Sequence, residues 1–90
     1  MHAVVVRVSI GDPEKAQQGL REQVIPRVSQ APGFVAGYWT RSDEGDNGLS
    51  MIVFQSEEDA RAAAEQIRSG AVPETVTVES AEVREVVEHA

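Results

Sequence analysis

From Ala3 to Ile10, apolar residues crowd a short run. Val4, Val6, Val8 and Ile10 share one side of an extended chain, and Ala3, Val5, Arg7 and Ser9 share the other. So many β-branched residues over so few positions predict a strand. Gly11-Asp12-Pro13 ends it and opens a helix, because Asp is a favoured N-cap and Pro a favoured first helical residue. From Pro13 to Val28 the residues Ala16, Leu20, Val24 and Val28 recur at i+4 spacing and form one apolar stripe. Gly19 weakens that helix by about 1 kcal/mol relative to Ala. Pro26 lacks a backbone donor and is expected to kink or end it.

Ala31-Pro32-Gly33 is a second stop signal. Residues 34–41 and 49–55 then read as two strands rich in aromatic and branched side chains. The polar, glycine-containing stretch Ser42 to Gly48 joins them as a hairpin. It forms either a tight Asn47-Gly48 turn or a longer loop, and the two choices exchange the strand faces. Ser56 is the expected N-cap of a second helix, with Glu57, Glu58 and Asp59 in the first turn, where the helix dipole favours acids. Its buried face is Ala60, Ala63, Ala64 and Ile67, and Ser69-Gly70 ends it. Small alanines let such a helix lie close to a sheet. Pro73 is expected to open a last strand, Thr75 to Glu79, and a further C-terminal strand is expected over about 82–88.

The order β-α-β-β-α-β predicts a single α+β domain over residues 1–90. It is the ferredoxin-like arrangement: a four-stranded antiparallel sheet of order 4-1-3-2, two helices on one face and the extra C-terminal strand. A monomer of that design needs a polar second face. Here Val5 competes with Val4 and Val6 for the helix side, Tyr38 with Trp39, and Met51 with Ile52. Both faces of strands 1 to 3 are apolar, so a partner sheet is expected to cover one of them, since monomers seldom expose large apolar patches.

Composition narrows the chemistry. The chain has 90 residues, no cysteine and a formal net charge of −7. Nucleic acid is an unfavourable partner for so acidic a chain. Disulfides and thiolate catalysis are excluded. The N-terminal apolar run is too short for a signal peptide or a membrane span, so a cytoplasmic protein without membrane attachment is expected. Two isolated histidines leave no transition-metal signature. Asp43 to Gly48 fails as a calcium loop, because Gly45 and Phe54 occupy ligand positions. Neither a nucleophile elbow nor a phosphate-binding loop occurs, and no metal or cofactor is expected.

Pro32-Gly33-Phe34-Val35-Ala36-Gly37-Tyr38-Trp39, followed by Val53-Phe54-Gln55-Ser56-Glu57-Glu58-Asp59-Ala60, resembles the dimeric α+β-barrel superfamily. The nearest branch is the antibiotic-biosynthesis-monooxygenase-like domain. The resemblance implies a homodimer whose two sheets pack into a barrel, with a pocket either between each sheet and its helices or in the lumen. It also implies two kinds of activity, cofactor-free oxidation of quinol-like aromatics and haem degradation. Haem-degrading relatives carry an Asn on the first strand, a Trp before the second helix and an iron-ligating His near that helix. This chain has Asn47 in the hairpin, Phe54 before the helix, and only His2 and His89 near the ends. Haem degradation is therefore disfavoured.

The residues left to line a pocket are Arg7, Tyr38, Trp39, Arg41, Thr75, Thr77 and Glu79. Arg7, with Thr75, Thr77 and Glu79 on the neighbouring strand, either orients an anionic or carbonyl-bearing ligand in the lumen or pairs with Glu79 across the strands. Tyr38 and Trp39 alternate, so only one of them faces the lumen, and Trp39 is expected to be largely buried. Two functions stand side by side. One is a homodimeric module that binds a small aromatic or anionic molecule. The other is a cofactor-free monooxygenase acting on a quinol-like aromatic, for which Glu79 or a terminal His is the available base.

Overall fold

The computed structural model describes residues 1–70 and 74–90, so the expectation for Pro73 lies outside the described residues. The elements are β1 (His2–Ile10), α1 (Pro13–Gly19), a π-helical turn (Leu20–Val24), α2 (Ile25–Val28), β2 (Phe34–Arg41), β3 (Asn47–Phe54), α3 (Glu57–Arg68) and β4 (Val76–Glu85). All strand pairs are antiparallel, in the order β2-β3-β1-β4. This is the ferredoxin-like α+β sheet expected from the sequence.

Both helix starts use the expected caps. The Asp12 carboxylate accepts from Lys15 N at 3.2 Å, and Ser56 Oγ accepts from Asp59 N at 3.1 Å. The single helix expected over 13–28 is instead three segments. The Ile25 N–H donates to Leu20 O, five residues back, and widens the turn. Pro26 accounts for this break, since it has no N–H with which to continue the ordinary ladder.

Between Ser42 and Asn47 the longer hairpin loop is realised. Gly45 N donates to Ser42 O at 2.9 Å, with φ of +81° at Gly45. That loop fixes the faces. Gly37, Trp39, Ser50, Ile52, Val4 and Val6 look toward the helices, while Tyr38, Met51 and Val5 form a row across the opposite face.

The expected fifth strand is a correction. Residues 82–85 continue β4, and no separate strand forms. The pairing slips at Glu79, because Arg7 faces Ser80 while Val8 faces Val78. That one extra residue is a bulge, and it resets the alternation. Val76 and Val78 before it, and Ala81 and Val83 after it, therefore all face the helices. The guanidinium of Arg68, at the end of α3, donates to Ala81 O just past the bulge.

The core lies between the sheet and α3, where Ala60 and Ala64 meet Val4, Ile52 and Phe54 with essentially no exposure. Burial of these apolar surfaces supplies most of the driving force, roughly 25 cal/mol per Å².

Candidate functional site

The two helical layers sit differently on the sheet. The alanines of α3 pack tightly against it. The stripe of the first helix carries Leu20, Val24 and Val28, each only half-buried. Between that stripe and the sheet lies a cavity of about 250 Å³. Leu20, Val24 and Val28 form its roof, and Val6, Val8, Ile52 and Trp39 form its floor.

Small residues keep the floor open. In register across the sheet, Trp39 faces Ser50 and Arg41 faces Gly48. A Cβ at Gly48 would fall 3.0 Å from Thr40 O and 3.1 Å from Val8 Cγ2. Ser50 is 7% exposed, the one buried polar side chain among the described residues, and it lines the cavity. Gln17 and Arg41, both exposed, mark the solvent end. The lining thus combines an apolar body, one aromatic wall, one buried hydroxyl and one cation. Such a composition suits a small, mostly apolar ligand held by a few polar contacts.

The seven residues expected to share a pocket divide between two faces. Trp39 and Arg41 line this cavity. Trp39 is mostly buried, packed against the core, and one side of its indole borders the cavity. Tyr38 is on the opposite face, 66% exposed. Arg7 and Glu79 line a polar depression of about 410 Å³ on that opposite face, beside Ser9, Asn47 and Leu49. Their expected ion pair is not formed. Glu79, displaced by the bulge, accepts from Ser9 Oγ at 2.5 Å instead. Thr77 is exposed opposite Ser9. Thr75 precedes β4. Its carbonyl accepts from Gly11 N at 2.8 Å, and its Oγ1 is buried without a partner among the described residues.

Sequence reasoning missed Ser50, Gly48, Leu20 and Val24 as a site. The i+4 stripe was legible, but its distance from the sheet was not. Among the described residues, no group of three or more His, Asp or Glu side chains is placed to hold a metal ion. No described helix is long and apolar enough to cross a membrane.

No family model matches the chain, and no curated protein matches it. Solved structures do. SnoaB, a cofactor-independent oxygenase from Streptomyces nogalater, aligns with a TM-score of 0.77 at 17% identity, covering 98% of this chain and 94% of its own. A dimeric ferredoxin-like protein from an uncultured marine organism aligns at 0.60 with 12% identity, covering 100% and 98%. The haem-degrader MhuD from Mycobacterium tuberculosis, solved with two haems in its active site, aligns at 0.54 with 24% identity, covering 97% and 98%. These likenesses show the fold alone, a ferredoxin-like α+β sheet shared with an oxygenase, a dimeric ferredoxin-like protein and a haem-degrader. An oxygenase and a haem-degrader both carry it, so the fold leaves the chemistry to the site.

Proposed function

We propose that this protein is a homodimeric module that binds a small aromatic molecule in the cavity between the sheet and its first helix. The observation that carries the reading is that cavity: apolar, walled by Trp39, with Ser50 inside. Self-association is supported by the row Tyr38–Met51–Val5 on the uncovered face, where Tyr38, Met51, Leu49 and Val35 are all exposed. A second sheet would remove this patch from water, and a neighbour in fold is dimeric.

The test uses the chain's single tryptophan. Its indole N–H gives one resonance in a ¹⁵N-labelled protein. Titration with 2-naphthol is expected to shift that resonance saturably. An unmoved resonance at saturating 2-naphthol would refute the binding reading.

The likeness to SnoaB favours a second reading, cofactor-free oxidation. That chemistry needs a substrate able to supply electrons to oxygen and a group to ionise it. Of the expected bases, Glu79 lies on the opposite face and neither terminal His lines the cavity, whose lining holds no carboxylate or imidazole among the described residues. Oxygen uptake with 1,4-naphthohydroquinone above its spontaneous rate would favour oxidation over simple binding.

A further inference from the structure

The binding reading leaves open which aromatic molecules fit. The cavity bounds their size. An engineered apolar cavity of about 150 Å³ holds benzene, so about 250 Å³ suits two fused rings. It is below the roughly 300–1,000 Å³ of pockets that take drug-sized ligands.

Charge bounds the ligand further. Arg41 is the charged side chain in the lining. Three other arginines are engaged elsewhere, and Arg7, Arg21 and Arg27 do not line this cavity. Arg61 pairs with Glu57, Arg84 with Glu82, and Arg68 donates to Ala81 O. Arg41 has no ion-pair partner among the described residues, although the chain carries fifteen carboxylates. The nearby hairpin acid Asp46 is satisfied locally, accepting from Ser42 Oγ at 3.0 Å and from Asn47 Nδ2 at 3.1 Å. A guanidinium left free at the mouth of an apolar cavity is a ready partner for a carboxylate, which it can bind in a two-point fork.

Spacing joins the two features. Trp39 and Arg41 lie on the same face of β2, two residues apart, which is about 7 Å along a strand. Both side chains line the same cavity, so one ligand can meet the indole with its rings and the guanidinium with its carboxylate.

Resting on the binding reading above, we propose that the cavity selects a two-ring aromatic monoanion, with its rings against Trp39 and its carboxylate on Arg41. The anion anchor of this chain is thus Arg41 on the helix side, rather than Arg7 on the opposite face.

The experiment compares three probes by the Trp39 indole resonance: 2-naphthoate, its neutral counterpart 2-naphthamide, and the longer anthracene-2-carboxylate. 2-Naphthoate is expected to bind about tenfold tighter than 2-naphthamide, the effect of one charge-assisted hydrogen bond. Arg41→Gln is expected to abolish that preference, and added salt is expected to weaken the naphthoate complex more than the naphthamide complex. Anthracene-2-carboxylate is expected to bind about tenfold more weakly than 2-naphthoate, because its third ring overfills the space. Equal affinity for 2-naphthoate and 2-naphthamide would overturn the anion assignment while leaving the binding reading intact. Equal affinity for the three-ring acid would overturn the size assignment. Failure of all three probes to move the resonance would overturn both this proposal and the binding reading.

Discussion

The six-membered ring of the Trp39 indole covers the α-carbon of Gly37, two residues earlier on the same face of β2. A Cβ at Gly37 would fall 2.5 Å from Cη2 and 2.7 Å from Cζ3 of that ring. The glycine therefore sets where the indole rests, and the indole forms a wall of the cavity.

Gly37→Ala forces that ring to move. The expected cost is about 1–3 kcal/mol, typical of overpacking. Urea denaturation measures it, and the indole N–H resonance is expected to shift in the folded variant. Trp39→Leu in the Gly37→Ala background should recover part of the loss, because it removes the clashing atoms. Trp39→Ala alone should cost about 2 kcal/mol, below the ~3–5 kcal/mol of a fully buried aromatic.

On the uncovered face, Met51 sits in register between Tyr38 and Val5. Met51→Glu places a charge at the centre of that row and is expected to give a monomer, whereas the parent chain is expected to sediment as a dimer. Circular dichroism should be unchanged, since Met51 does not face the helices. A parent chain of single-chain mass at micromolar concentration would refute the dimer.

Glu57 offers a pH test. Arg61 donates to its carboxylate at 2.6 Å, and that hydrogen bond, together with the guanidinium's charge, holds the Glu57 pKa below its usual 4.5. A depressed folded-state pKa contributes stability at pH values above the unfolded pKa, and that contribution is lost as the pH falls through the folded value. Both side chains are exposed, so the effect is small. The stability gap between the parent and Glu57→Gln should be present at pH 7 and shrink as the pH falls below 4.5. A gap that widened on acidification would contradict the sign.

Haem gives a negative expectation of the chain's own residues. Phe54 is fully buried in the core, Asn47 begins β3 beside the hairpin loop, and His2 and His89 lie near the two ends. Titration with haemin is expected to give no saturable one-to-one Soret shift. A saturable shift that survived loss of both histidines would contradict this.

The caps at Asp12 and Ser56, the strand order and the doubly apolar sheet were legible because each follows from local residue types. The contact between two distant motifs was not legible, because in the sequence each is only a separate marker. The Asp59 carboxylate occupies the space a side chain at Gly33 would fill, Gly33 has φ of +77°, and its carbonyl accepts from Gln55 N at 2.8 Å. The Pro-Gly-Phe and Ser-Glu-Glu-Asp-Ala segments are therefore in contact. The C-terminal half of β4 was not legible as one strand. The bulge at Glu79 breaks the alternation of apolar residues, and a broken alternation reads as two strands. The site was legible only in part. Trp39 and Arg41 lie on one side of the sheet and Arg7 and Glu79 on the other, and that division depends on the hairpin register. The cavity depends on how far a Leu/Val helix stands from the sheet compared with an Ala helix, a distance set by tertiary packing.

The proposed ligand site lies between the sheet and its first helix, not on the opposite face where two subunits would meet. Intermolecular nuclear Overhauser effects from bound 2-naphthoate test this most directly. The predicted result is contacts to the Trp39 ring and to the methyl groups of Leu20, Val24 and Ile52. Contacts instead to Tyr38, Leu49 and Met51 would place the ligand on the opposite face and overturn the helix-side site.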